Sequence, residues 1–354
     1  MNFLFSGKTW AIAILLVSIG VGVALLTDPN IDFRVKMLHC LFKGIFTVST
    51  ILGVSSFEVL NFIIPTVPPG LGEDGITSVD LVIPHSPRSV FEGTTPLEDV
   101  NVRVYFRAED EEKLPILINF HGGGFAIGSA AQTMYDSPSR KFAIDGPMLV
   151  ISVDYRLTPK YPLPAAIDDC VAAVLWAHAA THPLVQQHGD PSKIILMGDS
   201  AGGNLAAVVA QVLVKCKGFN IFKKKKNEIH LFFFFFLRVL LAYPEVKVIH
   251  QILIYPSLHL SVSQMTESHK KHANGYMLFE SARDAFEKAL LGNNEKELIL
   301  SHLNQPLLAS SFSNLPPGQI VVAGLDMLSD EGILYFKALK NAGVDVTQLS
   351  FSLA

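Results

Sequence analysis

Three short stretches carry groups that could do chemistry together. GDSAG (198–202) sets a serine between two glycines, after IILMG and before AGGNLAAVVAQVLV. The G-x-S-x-G spacing permits a sharp strand-to-helix turn with Ser200 at its tip. There the hydroxyl stands beside a helix N-terminus, whose free N–H groups favour developing negative charge. HGGG (121–124) follows LPILINF. Three adjacent glycines cost folding entropy, and they let backbone N–H groups turn inward. Such donors stabilise a tetrahedral oxyanion more than a planar carbonyl. The N–H groups of Gly122, Gly123 and Ala201 are read as that oxyanion hole, with His121 orienting the loop through a side-chain hydrogen bond. GLDMLSDEG (324–332) supplies an acid. Asp326 leaves its strand first and is read as the group that orients a base, whereas Asp330 suits a cap on the next helix. The chemistry implied is nucleophilic attack on a carbonyl through an acyl-enzyme.

These groups need strands that end together. VRVYF (102–106), LPILINF (114–120), MLVISVDY (148–155), KIILMGD (193–199), VIHQILIYP (248–256) and QIVVAGLD (319–326) read as strands. Their continuous apolar character fits a mostly parallel sheet covered on both faces. The stretches 165–180, 201–214 and 331–343 read as intervening helices, which makes an α/β order. ESARDAFEKALL (280–291) lies between two strands, where a small helical cap fits.

The N-terminal part reads differently. WAIAILLVSIGVGVALL (10–26) is uncharged and, with its flank, approaches the roughly 20 residues that span a bilayer. No site of small residues follows it, so a retained anchor over 1–27 is favoured above a cleaved signal peptide. Residues 44–66 are apolar but contain Glu58; they read as a helix on the body, touching the bilayer or simply buried. Residues 28–99 form a membrane-proximal and cap region, and 100–354 the catalytic domain. One segment, 215–241, contains four consecutive lysines and five consecutive phenylalanines. It has no binary pattern that buries one face, where an α/β unit needs only a short link. A membrane-binding hairpin is one reading; an incorrect gene model is the preferred one, since phenylalanine runs are what a pyrimidine-rich tract before a splice acceptor gives when translated.

Composition excludes several classes. A formal net charge of −4 offers no basic surface for nucleic acid. Three cysteines make no disulfide framework. No H-E-x-x-H occurs and the histidines are scattered, so no metal is implied. No G-x-G-x-x-G follows the first strand, so no dinucleotide cofactor is implied either.

The quoted motifs, with DYRLTPKYPLPAAIDD (154–169) and LIYPSL (253–258), resemble the arylacetamide deacetylase family within the hormone-sensitive-lipase-like α/β-hydrolases. The resemblance covers roughly 75–347 apart from the odd insertion. It implies an α/β-hydrolase fold: a mostly parallel central sheet flanked by helices, with a small helical cap and an N-terminal transmembrane anchor. It places the nucleophile on Ser200, the acid on Asp326 and oxyanion glycines on Gly122 and Gly123. Lipophilic esters or arylamides are the implied substrates, and the endoplasmic reticulum membrane, with a lumenal catalytic domain, the implied location.

The sequence departs from this pattern at one chemical group. Chain order in the fold is serine, acid, histidine, yet all twelve histidines lie at or before His302. The closing QLSFSLA replaces the family's course, so the last strand and helix, with the histidine, are expected to be missing. Nothing in the sequence places His259 or His302 beside Ser200. The rival reading is therefore a catalytically impaired form or pseudoenzyme that binds hydrophobic ligands.

Overall fold

The structure, a computed structural model, describes residues 33–52, 55–84, 98–218, 246–258, 265–291 and 304–351. The chain begins with α1 (Phe33–Leu52), α2 (Ser56–Ile63), β1 (Gly70–Leu71), β2 (Thr77–Ile83), β3 (Val100–Phe106) and β4 (Leu114–Phe120). Next come α3 (Thr133–Asp145), β5 (Leu149–Asp154), α4 (Ala165–Ala179), α5 (Pro183–His188), β6 (Gly189–Asp199) and α6 (Ala201–Gly218). The last elements are β7 (Val248–Ile254), α7 (Glu267–Lys271), α8 (Glu280–Leu291), β8 (Gly318–Ala323), α9 (Ser329–Asn341) and β9 (Val346–Phe351).

The nine strands make one sheet in the order β1-β2-β3-β5-β4-β6-β7-β8-β9. From β5 to β9 every pairing is parallel, and β3 joins antiparallel on both sides. The apolar runs explain the centre. Ile116, Ile118 and Phe120 pack in the cluster that α4 and α6 cover, while Leu117 faces the opposite cluster with Ala143 of α3. Side chains alternate across a strand, so burying both faces requires an unbroken apolar sequence.

The six strands and three helices read from the sequence are all present. β2 lacks the continuous run because only one of its faces is buried: its burial alternates and Asp80 points outward, half-exposed. The expected loss of the final strand is corrected. β9 pairs with β8 over six residues, from Val346 with Gly318 to Phe351 with Ala323. An edge strand is held by backbone bonds and tolerates exposed side chains, so VTQLSF suffices with only Val346 buried.

The region 44–66 folds as two helices, part of α1 and all of α2. Phe46 and Leu60 pack against Ala126, Ile127, Phe279 and Ala282, so this pair and α8 together form a cap over the loop that follows β4. The expected anchor (10–26) and residues 219–241 of the anomalous segment lie outside the described residues. Among the described residues no helix is long and apolar enough to cross a membrane.

Candidate active site

Ser200 occupies the turn between β6 and α6 with a φ of +52°. That left-handed conformation is costly for a residue with a Cβ, and the surroundings hold it. The Ser200 N–H donates to Ile254 O at 2.9 Å, while Ser200 O accepts from Asn204 N–H (3.1 Å) and Ser257 N–H (3.0 Å). A Cβ at Gly202 would collide with the Phe120 carbonyl oxygen. The second motif glycine is thus needed where α6 starts against the end of β4. Asn204 fixes the back of the turn, its Nδ2 donating to Ser257 O (2.7 Å) and Asn304 O (2.8 Å).

Three successive carbonyls of the glycine loop are pinned. His121 O accepts the Tyr155 hydroxyl at 2.7 Å, and the two rings stack with centroids 4.2 Å apart. Gly122 O lies 2.7 Å from His121 Nδ1. Gly123 O accepts from Ala126 N–H (3.1 Å) and Ile127 N–H (2.9 Å). Burial lowers the His121 pKa. A neutral ring that donates from Nδ1 meets both the burial and the carbonyl. Gly123 has a φ of +103°, and a Cβ there would strike Ile127 O.

A peptide unit is planar and trans, so its N–H points opposite its carbonyl. The pinned Gly122 and Gly123 carbonyls therefore aim the Gly123 and Gly124 N–H groups the other way. Neither of these, nor the Ala201 N–H, meets an acceptor among the described residues. Gly122 requires a correction: its N–H donates to Asp199 Oδ1 at 2.9 Å, so it is not free for an oxyanion. The sequence signal is the same three glycines; what it could not reveal is that the buried acid inside GDSAG takes the first donor.

Asp326 lies in the turn after β8, where Oδ1 accepts the Leu328 N–H at 3.0 Å. Burial pushes its carboxyl up to about 6, with the Leu328 N–H opposing and Glu331 adding to the rise. Asp330 does not cap its own helix. It sits in the first turn of α9 and its Oδ2 accepts the Ser268 N–H of α7 at 2.8 Å. Beside it the buried pair His269 Nε2 and Glu331 Oε1 stand 2.9 Å apart, and Glu331 also accepts the Leu258 N–H. Sequence reasoning missed this pair, since neither residue stands in a spacing that announces it. His259 and His302 lie outside the described residues. Among the described residues, no histidine is hydrogen-bonded to Asp326, and no group of three His, Cys, Asp or Glu side chains is placed to hold a metal ion.

A serine raised on a strand-to-helix turn, glycine N–H groups left without acceptors after the neighbouring strand β4, and an acid after a later strand define the class. The chain belongs to the family described as alpha/beta hydrolase fold, whose model matches residues 117–352. By family it is a carboxylic-ester hydrolase. It is 31% identical to carboxylesterase NlhH of Mycobacterium tuberculosis over 324 residues, covering 90% of this chain and 85% of that protein. It is 34% identical to carboxylic ester hydrolase LipN of the same organism over 68% of this chain, but spans only 56% of LipN. Rabbit (Oryctolagus cuniculus) arylacetamide deacetylase is more distant, 28% identical over 77% of this chain and 75% of its own. The specific family suggested by the sequence motifs is thus a distant likeness within a broader group. Among solved structures, a bacterial heroin esterase superposes with a TM-score of 0.65 at 26% identity, covering 94% of this chain and 87% of that one.

Proposed function

We propose that the chain hydrolyses lipophilic carboxylic esters through an acyl-enzyme on Ser200, with Asp326 as the acid and the Gly123, Gly124 and Ala201 N–H groups as the oxyanion hole. The observation that carries this is the conjunction of a strained Ser200 with aimed, unpaired glycine N–H groups. In the first step Ser200 Oγ bonds to the ester carbonyl carbon and gives up its proton to a base. The tetrahedral oxyanion collapses, and the alcohol leaves with that proton. Water then attacks the acyl-serine by the same route and releases the acid.

The base is the weak member. Among the described residues Asp326 accepts the Leu328 N–H and holds no histidine, so these residues supply no base for Ser200. The oxyanion hole and binding alone retain about 10³–10⁴-fold over water when a triad member is removed. A second reading, an impaired enzyme or pseudoenzyme that binds hydrophobic ligands, rests on that missing partner among the described residues. Arylamide hydrolysis and residence in the endoplasmic reticulum membrane, with the catalytic domain lumenal, belong to the same proposal; the run 10–26 and the family resemblance support them.

Imidazole in solution tests the reading. Hydrolysis of p-nitrophenyl butyrate is measured with rising imidazole for the full chain and for Ser200→Ala. A rate that rises more steeply for the full chain is expected. Equal rates for the two proteins at every imidazole concentration refute the serine mechanism.

A further inference from the structure

Of the two aimed N–H groups, that of Gly124 depends on the turn 123–127, in which Ala126 and Ile127 hold the Gly123 carbonyl. Thr158 donates to Phe125 O at the tip of this turn, from its N–H at 2.9 Å and its Oγ1 at 3.3 Å, and a second side chain grips the part that leads on to Gly128. Asn61 of α2 donates from Nδ2 to Ala126 O at 3.0 Å and accepts the Gly128 N–H on Oδ1 at 2.9 Å. Both ends of a single amide are spent on the loop, across more than sixty residues of chain. Leu60, the neighbouring residue on α2, packs in the same cluster as Ala126 and Ile127. No other side chain hydrogen-bonds the backbone of residues 126–128 among the described residues.

We infer that Asn61 is a positioning residue of the oxyanion hole, clamping Ala126 and Gly128 so that the turn between them and Gly123 keeps the Gly124 N–H aimed at the nucleophile. For its catalytic consequence the inference rests on the esterase reading above. It gives the N-terminal helices a part in the chemistry beyond covering the site. The residue type follows from the geometry. The loop presents one acceptor and one donor two residues apart, and an amide offers the matching donor and acceptor. Aspartate keeps the acceptor and loses the donor; leucine keeps the bulk and loses both.

The test uses the full chain with imidazole present and three variants: Asn61→Leu, Asn61→Asp and Phe62→Ser. Phe62 is on the same helix and mostly exposed, at 78%. Asn61→Leu is expected to lower kcat for p-nitrophenyl butyrate by about 10²-fold, the cost of a reacting group displaced by about 1 Å, with KM nearly unchanged. Asn61→Asp should fall between it and the parent, and Phe62→Ser should match the parent. Amide hydrogen exchange gives a readout that needs no turnover. Exchange over 121–130 should quicken about tenfold in Asn61→Leu, as expected when two hydrogen bonds are lost, while 165–179 stays as in the parent. Unchanged exchange over 121–130, or unchanged kcat beside faster exchange, overturns the inference. Should the leucine variant not fold, Asn61→Asp decides by the same two criteria. A parent without Ser200-dependent turnover sinks the esterase reading instead, and exchange alone then shows whether Asn61 holds the loop.

Discussion

The Asp199 carboxylate accepts the Gly122 N–H at 2.9 Å, joining the nucleophile turn to the glycine loop across 77 residues of chain. Asp199 is adjacent to Ser200, so this bond ties the serine's own backbone to the loop that must receive the oxyanion. Burial drives its carboxyl up to about 6, against the pull of the Gly122 N–H. Asparagine at 199 keeps an oxygen acceptor without the charge, whereas alanine leaves Gly122 unheld. Asp199→Ala is expected to lose about 10²-fold in imidazole-supported turnover, since small displacements at a reacting centre are that costly. Asp199→Asn should keep most of it. Equal losses in the two variants would show that the charge, not the acceptor, matters.

Asp326 gives a pH prediction of definite sign. Its folded pKa, about 6, lies above the usual carboxylate value of about 3.9. The folded state therefore binds this proton more tightly than the unfolded one. Stability falls as pH rises between those values, and the burial cost is fully present above the upper one. Asp326→Asn removes that cost. Its melting temperature should exceed the parent's at pH 7.5, and the two should converge near pH 4. A constant gap across that range would contradict the assignment.

What the sequence disclosed, and what it withheld, follows one physical line. Ile116 to Phe120 and Leu149 to Val153 are buried on both sheet faces and so spell runs that are apolar except for one buried polar residue each, Asn119 and Ser152. β2 is covered on one face, with Asp80 exposed at its centre to meet Arg103, and local patterning is weak there. α3 starts at Thr133 and carries Pro138 inside it, a residue that argues against a helix by propensity; Asp136, holding Arg103 and Arg140, supplies tertiary reasons for it to persist. In the site, Ser200 and the glycines were legible because backbone conformation demands residue types. Asn61 and the donor taken by Asp199 were not, since long-range hydrogen bonds leave no periodic trace.

The Asp136 network predicts a stability hierarchy. Arg103 is almost wholly buried; its Nε and Nη2 fork onto Asp80, and Nη1 reaches Asp136 Oδ1 at 3.1 Å and Val67 O at 2.6 Å. Asp136 is equally buried and also accepts Arg140 Nε at 2.9 Å and the Tyr105 hydroxyl at 3.1 Å. Removing a buried partner leaves an uncompensated charge, which costs about 3–5 kcal/mol. Asp136→Ala is expected to lose that much in urea unfolding. Asp80, with 53% of its side chain exposed, should cost clearly less as Asp80→Ala, because its carboxylate is half in water and Arg103 keeps Asp136 as a buried partner. Equal losses would mean that burial does not set the value of these pairs.

Phe286 predicts how the cap selects substrates. Its ring lies so close over Gly124 that a Cβ there would collide with it. The ring is stacked on Phe57 at 5.1 Å and set edge-on to Phe46 at 5.9 Å. An acyl group whose oxygen meets the Gly124 N–H must therefore extend past this ring, and α1, α2 and α8 together set the room available. Phe286→Ala removes the ring and leaves the donors untouched. A longer chain then buries additional methylenes, each worth about 0.8 kcal/mol when fully covered. The ratio of kcat/KM for the p-nitrophenyl decanoate over the butyrate should rise about tenfold, the equivalent of two such groups. An unchanged ratio, in a variant whose melting temperature shows it folded, would mean that the acyl chain leaves the oxyanion hole by another side.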